Sequence, residues 1–349
     1  MNILLCFDSF KGCLMSSEAN RSAGDCCRRL SEANAVTELA MSDGGEGWLD
    51  AFRLSLGGEE VEVDCCDPLR RSLRASYLRM GTTAVIESAR AAGLTLLREE
   101  ERNPLLADTY GVGLLIAHAV ERGCDRLLIG LGGSGTSDAG RGLVEALRDR
   151  GCLEPAARCE VVVATDVNNP LCGERGAAQV FGPQKGADPA MVKVLDERAK
   201  LFAQANARRM GVDCSESAGA GAAGGMGYAL MQFLHGRCVP GADLLFDTIG
   251  LDCRLESADV VITGEGASDR QTLMGKLPYR LLKRAKSKGV ETWLLAGRLQ
   301  DRDRLLEAGF DRVETINPEG MAVAVAMRKE VAKKNIQDTV QRLIESWEQ

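Results

Sequence analysis

The segment 126–142, RLLIGLGGSGTSDAGRG, constrains the fold more than any other part of the chain. An apolar run passes directly into a glycine-dense turn, which opens a helical pattern that carries Asp138 on its first turn. This order predicts a buried strand, a tight turn and a helix, the local unit of a parallel α/β sheet. Glycines leave backbone N–H groups accessible and the helix start adds positive partial charge, so the turn is suited to hold an anion.

Three further segments place glycines and polar residues at the end of a predicted strand. They are FDSFKG at 7–12, MSDGGEG at 41–47 and VITGEGASDRQTLMGK at 261–276. The carboxyl ends of parallel strands face a common crevice, so motifs distant in sequence can converge on one ligand. We therefore expect one shared polar cleft.

Apolar runs predict the strands, and amphipathic stretches between most of them predict the helices. Strands are expected at 2–7, 84–87, 126–130, 161–165, 259–263, 292–296 and 312–316. Helices are expected at 17–30, 110–122, 138–150, 189–210, 225–234, 278–288, 301–308 and 325–347. The runs 61–65, 72–80 and 82–87 are joined by turns without a helix, which favours antiparallel pairing.

This pattern predicts an α/β protein built from two α/β domains. A Rossmann-like parallel-sheet domain is expected from residues 1–58 and 238–349, with a second, mixed α/β domain of residues 59–237 inserted in it. The glycine-rich strand ends are expected to line an active-site cleft between the two domains.

Composition and charge narrow the classes of partner. The chain has 349 residues, of which 45% are hydrophobic, enough apolar surface for two cores. A formal net charge of −7 argues against nucleic acid as a partner, because that binding depends on clustered Lys and Arg. No stretch approaches the roughly 20 apolar residues of a membrane span, and no secretory leader is evident. We expect a cytoplasmic protein without a membrane partner, and the sequence leaves the oligomeric state unassigned.

The 13 cysteines are scattered and form no CxxC motif. Their spacing therefore predicts buried, reduced thiols rather than zinc ligands or a disulfide framework. The chain has only two histidines, His118 and His235, which is too few to favour a zinc cluster or a histidine-based triad.

Each glycine motif also has a purely structural interpretation. GxGxxG at 130–135 fits a dinucleotide fingerprint, with Asp166 as the acid after the next strand, yet the same turn serves mononucleotide phosphates or close packing. Lys11 could neutralise phosphate or lie in a solvated turn. Asp43 and Glu46 could hold Mg²⁺, act on a substrate hydroxyl or simply form a turn. No GxxxxGK[ST] occurs, which excludes a P-loop.

Two later segments are predicted to be functional for similar reasons. The polar stretch 166–186, which contains Lys185, is read as a long loop after a buried strand. The stretch 264–276 supplies Glu265 and Asp269 as carboxylates for a metal and Lys276 for phosphate charge. A glycine-rich connection between a strand and a helix is the alternative.

The motifs taken together closely resemble the bacterial glycerate kinases of the glxK type. The resemblance rests on FDSFKG at 7–12, SDGGEGW at 42–48, RNPLLADTYGVG at 102–113, GLGGSGTSDAG at 130–140, TDVNNPLCG and FGPQKGAD within 165–188, GAGAAGG at 219–225 and VITGEGASDRQTLMGK at 261–276. These blocks follow the family's order over nearly the whole chain. The resemblance implies ATP-dependent phosphorylation of D-glycerate to a phosphoglycerate with Mg²⁺.

The resemblance and the residue chemistry together give each candidate a role. The catalytic candidates are Lys11, Asp43, Asp166 and Lys276, with Asp43 or Asp166 as the general base. The candidates for cofactor binding are Gly132, Gly133, Ser134, Asp138, Lys185, Gly264 and Gly266. Asp8, Ser9 and Glu46 are expected to bind the substrate, and Glu265 and Asp269 to bind Mg²⁺. Positioning and charge neutralisation carry most of the catalysis of phosphoryl transfer, which suits this set.

Several alternatives stay open at this level. The 2-hydroxyl is slightly favoured over the 3-hydroxyl as the acceptor, and Trp48, in place of a small hydroxyl residue usual in the family, is expected to alter the pocket. The competing functions are an NAD(P)-dependent dehydrogenase of a small hydroxy acid, favoured by the GxGxxG order, and a non-catalytic sugar-acid-binding protein.

Overall fold

The computed structural model describes residues 1–347, in which strands and helices alternate as the apolar pattern predicts. The strands are β1 Asn2–Phe7, β2 Ala35–Glu38, β3 Glu59–Cys66, β4 Ser72–Met80, β5 Thr83–Glu87, β6 Arg126–Gly130, β7 Glu160–Ala164, β8 Arg237–Val239, β9 Val260–Ser268, β10 Glu291–Leu299 and β11 Arg312–Thr315. The helices are α1 Ser16–Leu30, α2 Trp48–Leu56, α3 Ala89–Ala92, α4 Tyr110–Glu121, α5 Arg141–Asp149, α6 Leu153–Ala157, α7 Ala177–Phe181, α8 Pro189–Met210, α9 Ala222–Leu234, α10 Gly241–Thr248, α11 Leu251–Leu255, α12 Leu277–Ser287, α13 Arg302–Ala308, α14 Val323–Ala326 and α15 Lys329–Trp347. Short 3₁₀ helices lie at Leu94–Leu96, Glu99–Glu101, Pro183–Lys185 and Thr272–Met274.

The chain forms two compact units. Unit 1 consists of residues 1–42, 50–56 and the chain from 242 onward, and unit 2 of residues 43–49 and 57–241. The segment 43–49 therefore belongs to unit 2, whereas the sequence-based boundary placed it in the Rossmann-like domain. Its backbone packs against the glycine turn that follows β6, since the N–H of Gly132 donates to the carbonyl of Gly44 over 2.8 Å.

Unit 1 contains a five-stranded sheet in the order β11-β10-β9-β1-β2, and all neighbouring strands are parallel. Ile3 and Leu5 of β1 share a buried cluster with apolar residues of α1 and α15. Leu294 and Val313 belong to a second cluster with residues of α12 and α13. Helices cover both faces, which explains the continuous apolar strands. Phe7 pairs with Gly264, so the ends of β1 and β9 lie side by side.

Unit 2 contains a six-stranded mixed sheet in the order β3-β4-β5-β6-β7-β8. The β3–β4 and β4–β5 pairs are antiparallel, as the helix-free turns predict, and the remaining pairs are parallel. Glu87 pairs with Gly130, and Gly130 pairs with Ala164, so β5, β6 and β7 end at the same level. This edge carries the glycine turn. The α/β fold class with a parallel and a mixed sheet is confirmed.

Several predicted boundaries need correction. The helix predicted at 138–150 begins at Arg141, because Ala139 and Gly140 adopt left-handed backbone angles with φ of 57° and 71°. The strand predicted at 259–263 continues to Ser268, since Ala267 still pairs with Arg298 of β10. The helix predicted at 325–347 is divided into α14 and α15.

The stretch 166–186, read from the sequence as one long loop, contains α7 and a 3₁₀ turn.

Among residues 1–347, no helix combines the length and the apolar character that a membrane crossing requires. The cytoplasmic location stays a prediction. The cysteines of this part of the chain are free thiols, most of them buried, and burial raises the pKa of Cys27 to about 12. Burial agrees with the predicted role of these thiols as small apolar side chains, and their reduced state stays a prediction.

Candidate active site

The loop after β1 holds the first group of predicted site residues. The N–H of Asp8 donates to the carbonyl of Gly264 over 2.9 Å, and one Asp8 carboxylate oxygen accepts the N–H of Ser9 over 2.7 Å. The N–H groups of Cys13 and Leu14 both donate to the carbonyl of Phe10, which closes a tight turn. Lys11 lies exposed in this turn. Ser9 is buried.

The end of β9 lies beside this turn. A Cβ added at Gly266 would be 3.7 Å from the Lys11 nitrogen, so the backbones of β9 and of the Lys11 turn are close neighbours. Gly264 differs, because a Cβ there would collide with the carbonyl oxygen of Leu295 and with the ring of Phe7. Gly264 is therefore needed for strand packing, whereas Gly266 stands where backbone could meet a ligand.

Glu265 lies between these two glycines and is only 6% exposed. Its Oε1 accepts hydrogen bonds from the hydroxyl groups of Ser268, over 3.1 Å, and Thr272, over 2.6 Å. Its Oε2 accepts from Nζ of Lys276 over 3.1 Å. Both carboxylate oxygens are thus engaged, which disfavours the predicted role of Glu265 as a metal ligand.

Asp269 is a better placed carboxylate for a cation. It is partly exposed, and its Oδ1 accepts the N–H of Gln271 over 2.7 Å. Within residues 1–347, no group of three or more His, Cys, Asp or Glu side chains is arranged to hold a metal ion. A cation here would therefore take most of its ligands from a bound substrate or from water, as Mg²⁺ does in phosphate-binding enzymes.

The second group of candidates surrounds the glycine turn after β6, in unit 2. A Cβ at Gly132 would collide with the Cα of Gly45 and lie 2.9 Å from the Gly45 nitrogen. Gly44 has a φ of 100°, and a Cβ there would be 2.9 Å from the carbonyl oxygen of Ala164. Only glycine fits at these positions, and the fit holds the segment with Asp43 and Glu46 against the β6 and β7 ends.

Asp166 follows β7 by two residues and is exposed. Asp43 is partly buried and Glu46 is exposed. Unit 2 thus carries three carboxylates, on the segment that packs against the glycine turn and on the segment that follows β7, and Asp43 and Asp166 are the predicted alternatives for the general base.

Gly133 and Ser134 form the tip of the glycine turn. The carbonyl of Gly133 accepts from Leu94 N–H, and Gly135 N–H donates to the carbonyl of Ala92. Ser134 forms an isolated antiparallel bridge with Gly93, but among residues 1–347 the N–H groups of Gly133 and Ser134 donate no backbone hydrogen bond. Two adjacent N–H donors in a turn with positive φ at Gly133 form an anion-binding arrangement.

Lys185 is buried beneath this turn, with 3% of its surface exposed. Its Nζ donates to the Ser134 hydroxyl over 2.9 Å and to the Thr136 carbonyl over 2.7 Å. Burial lowers the pKa of Lys185 to about 8, an effect that the negative charge of Asp138 partly opposes. The buried ammonium group has neutral hydrogen-bond partners and places positive charge close to Gly133 and Ser134.

The contacts of Asp138 disfavour its predicted role in binding a cofactor at a helix start. Its carboxylate accepts hydrogen bonds from the N–H groups of Thr109, Gly140 and Gly142 and from the Thr109 hydroxyl. The N–H of Leu143 donates to the same hydroxyl. Because these first N–H groups of α5 are occupied, the helix start as placed has no free donors for a phosphate. Burial raises the pKa of Asp138 above its ordinary value, although these hydrogen bonds act to lower it.

Sequence reasoning missed three residues that shape these sites. Thr272 orients Glu265 and Thr109 caps α5, and both could have been noticed as hydroxyl residues inside the quoted motifs. Glu87 ends β5, is 7% exposed and accepts the N–H of Leu49 over 3.2 Å. Glu87 could have been noticed in the sequence as an acidic residue at the end of an apolar strand.

Trp48, expected to alter the pocket, is fully buried, and its ring lies 2.8 Å from where a Cβ on Gly130 would stand. It packs under the turn and presents no exposed surface.

The parallel sheets, the glycine turns at strand ends and the lysines beside them define an α/β enzyme that handles an anionic ligand. The glycerate kinase family model matches residues 3–152 and 148–348. The chain is 36% identical to a glycerate kinase of Halalkalibacterium halodurans, covering 99% of this chain and 98% of the relative. It is 35% identical to the glycerate 2-kinase of Escherichia coli K12, covering 86% of each.

A solved structure agrees with these relatives. A crystal structure of a Salmonella typhimurium LT2 protein, provisionally assigned as glycerate kinase 2, superposes with a TM-score of 0.86 and 32% identity, covering 100% of this chain and 98% of that one. The chain belongs to the glycerate kinase family. This membership confirms the resemblance found in the sequence motifs and the kinase class of enzyme.

Proposed function

We propose that this protein transfers the γ-phosphoryl group of ATP to a hydroxyl group of D-glycerate, with the 2-hydroxyl favoured over the 3-hydroxyl. The observation that carries this proposal is the family match over nearly the whole chain. The preference for the 2-hydroxyl is supported by the Escherichia coli relative, which is a glycerate 2-kinase.

The glycine turn of unit 2 is assigned to the nucleotide phosphates. The N–H groups of Gly133 and Ser134 would donate to phosphate oxygens, and Gly132 allows the turn to pack tightly enough to present them. Lys185 supplies positive charge from beneath the turn. These donors are fixed before the ligand arrives, so little reorganisation is needed when charge develops in the transition state.

Lys11 and Lys276 of unit 1 are assigned to neutralise the transferring phosphoryl group or the carboxylate of glycerate. Asp8 and Ser9 shape the turn that carries Lys11. On unit 2, Asp43 or Asp166 accepts the proton of the attacking hydroxyl, and Glu46 contacts the substrate.

The residues present could hold a single Mg²⁺ with one carboxylate from the protein. Asp269 and the phosphates would hold the ion, whereas Glu265 is already occupied by three donors. When bound, Mg²⁺ would neutralise phosphate charge and orient the phosphoryl group for in-line transfer.

The dehydrogenase alternative receives no support from the two histidines. His118 lies within α4, and its Nδ1 shares a 3.3 Å hydrogen bond with the hydroxyl of Tyr77. His235 ends α9 in a left-handed backbone conformation. Neither histidine is in one of the glycine-rich motifs, where a dehydrogenase would need an acid or base next to the hydride.

The proposal is tested by measuring ADP release from ATP and Mg²⁺ with D-glycerate, L-glycerate, glycolate or no acceptor, and by locating the product phosphate by ³¹P NMR. Turnover with D-glycerate alone is expected, with the phosphate on the 2-oxygen. Lack of turnover with every acceptor, in protein shown to be folded, would contradict the kinase assignment. Normal rates for both Asp43→Asn and Asp166→Asn would contradict the choice of general base.

A further inference from the structure

The buried carboxylate of Glu265 and the ammonium group of Lys276 form an ion pair. The proposed function assigns a role to Lys276 but leaves Glu265 without one. Glu265 is 6% exposed, and the side chain of Lys276 is 40% exposed. One partner is therefore fixed inside the protein while the other reaches the surface. This difference in exposure is what we expect if Glu265 holds the side chain of Lys276 in place.

The contacts of Glu265 are complementary to an anchored ammonium group rather than to a metal ion. Oε1 accepts two hydroxyl donors, from Ser268 and Thr272, and Oε2 accepts from Lys276. A cation bound to Glu265 would have to share the carboxylate oxygens with these three donors or displace one of them. It would also stand next to the positive charge of Lys276, which repels it in a poorly solvated site.

Thr272 fixes the orientation of the carboxylate. It is fully buried in the 3₁₀ helix Thr272–Met274, and its hydroxyl also accepts the N–H of Asp269 over 3.2 Å. The hydroxyl thus connects the Asp269 backbone to Oε1, which directs Oε2 to the side where Lys276 begins α12.

A lysine side chain is rich in rotamers and loses conformational entropy when it is held in one of them. In this protein the ordering occurs before ligand binding, since Nζ of Lys276 already contacts Oε2 of Glu265 and the Ala267 carbonyl, the latter over 3.4 Å. Such a lysine would meet a phosphoryl group without further ordering.

We propose that Glu265 is a positioning residue, which together with Thr272 holds Lys276 in the orientation needed for phosphoryl transfer, and that it is not a ligand of Mg²⁺. The proposal rests on the proposed function, because it takes Lys276 to act on the transferring group.

Two variants test this role. Glu265→Gln keeps the size of the side chain and removes its charge, and Thr272→Val removes only the hydroxyl group. For Glu265→Gln, kcat is expected to fall about 10- to 100-fold, with a smaller loss for Thr272→Val. The Mg²⁺ concentration at half-maximal rate should change less than about twofold in either variant, because no metal ligand is lost. Thr248→Val, which removes a hydroxyl bonded to the Leu244 carbonyl of α10, is the matched control with unchanged kinetics.

A double-mutant cycle separates positioning from a general structural role. In a Lys276→Met background, Glu265→Gln should cause no further loss of kcat beyond about twofold, because there is no ammonium group left to position. A full additional loss in that background would overturn the proposal. A rise of about tenfold in the Mg²⁺ requirement would overturn it as well.

Two binding measurements do not depend on turnover. Glu265→Gln and Lys276→Met should weaken ATP binding in EDTA, measured by calorimetry, by the same factor and without additivity. Binding of Mn²⁺ in the presence of ATP, followed by EPR, should be unchanged in Glu265→Gln, and weakened Mn²⁺ binding would contradict the proposal. Wild-type protein that turns over no acceptor would contradict the proposed function, while these two measurements would still decide the role of Glu265.

Discussion

Two lysines of this protein, one in each unit, are held in opposite ways. Lys276 is partly exposed and ion-paired with the carboxylate of Glu265 at 3.1 Å. Lys185 is buried, and its Nζ donates to two neutral oxygens, the Ser134 hydroxyl and the Thr136 carbonyl. Lys276 is paired directly with a carboxylate, whereas Lys185 has neutral hydrogen-bond partners and only the more distant charge of Asp138 acts on it. An incoming anion therefore gains more from Lys185, and burial makes that lysine easier to deprotonate.

Gly132 of unit 2 and Gly266 of unit 1 differ in how tightly they are packed. Gly132 is packed backbone against backbone with Gly45, whereas a Cβ at Gly266 would meet its nearest neighbour, the Cα of Phe10, at an ordinary 3.6 Å. The turn of unit 2 has no room to adjust, and the strand end of unit 1 has some. The comparison indicates a tightly packed glycine turn in unit 2 and, in unit 1, a charge-balanced lysine near a strand end that is packed less tightly at Gly266.

The largest expected effect is the loss of the Lys185 charge. Lys185→Met should lower kcat/KM for ATP about 10²- to 10³-fold, the range seen when one donor to developing charge is removed from a preorganised site. Steady-state kinetics measure this loss, and Lys193→Met, at an exposed lysine of α8, serves as the control with wild-type values. Lys185→Met with activity close to wild type would break the comparison, because Lys185 would then be a purely structural residue.

The two glycines should respond to alanine by different amounts. Gly132→Ala places a Cβ on the backbone of Gly45 and is expected to lower the free energy of unfolding by about 1–3 kcal/mol, typical of overpacking. Gly266→Ala, at ordinary contact distance, should change it by less than about 0.5 kcal/mol. Urea unfolding of both variants measures the difference. Equal losses would show that the turn of unit 2 is no more rigid than the strand end of unit 1.

The parts of the fold with a long periodic pattern were predictable from sequence. The helix expected at 189–210 agrees with α8 to the residue, and β1, β4 and β6 also have their predicted bounds. The three-residue β8 and the four-residue β2 were missed, because so few residues cannot display a period.

The site was predictable as a set of motifs but not as a set of contacts. Glycine turns and lysines are visible in the sequence, whereas the burial of Lys185 depends on Ser134, 51 positions earlier in the chain. The pairing of Glu265 with Lys276 depends on how the 3₁₀ turn between them folds. The left-handed Ala139 and Gly140 moved the start of α5 away from Asp138, a local choice that helical periodicity does not reveal.

The pH dependence of catalysis should carry the signature of Lys185. Its pKa is lowered from 10.5 to about 8, so the charged form is lost above about pH 8. If the charge is needed for ATP, kcat/KM should fall about tenfold per pH unit above that point. Initial rates at subsaturating ATP measure the profile in wild type and in Lys185→Arg, whose guanidinium group stays charged. Lys185→Arg should have a lower plateau without the alkaline fall, and an unchanged alkaline fall would assign it to another group.

The smallest expected effect of the Lys185 charge is on stability, and its sign follows from the same lowered pKa. Between about pH 8 and pH 10.5 the folded state has lost the Lys185 proton while the unfolded chain still binds it. The unfolded state then holds more protons, so the free energy of unfolding rises with pH through this window, by at most about 1.4 kcal/mol per pH unit. From pH 8 to pH 9 the wild type should gain about 1 kcal/mol relative to Lys185→Met. Urea unfolding at both pH values measures this difference, and the other titrating groups cancel because both proteins contain them. A gap between wild type and Lys185→Met that is constant with pH would mean that Lys185 keeps its ordinary pKa, and the contrast with the ion-paired Lys276 would then rest on hydrogen-bond partners alone.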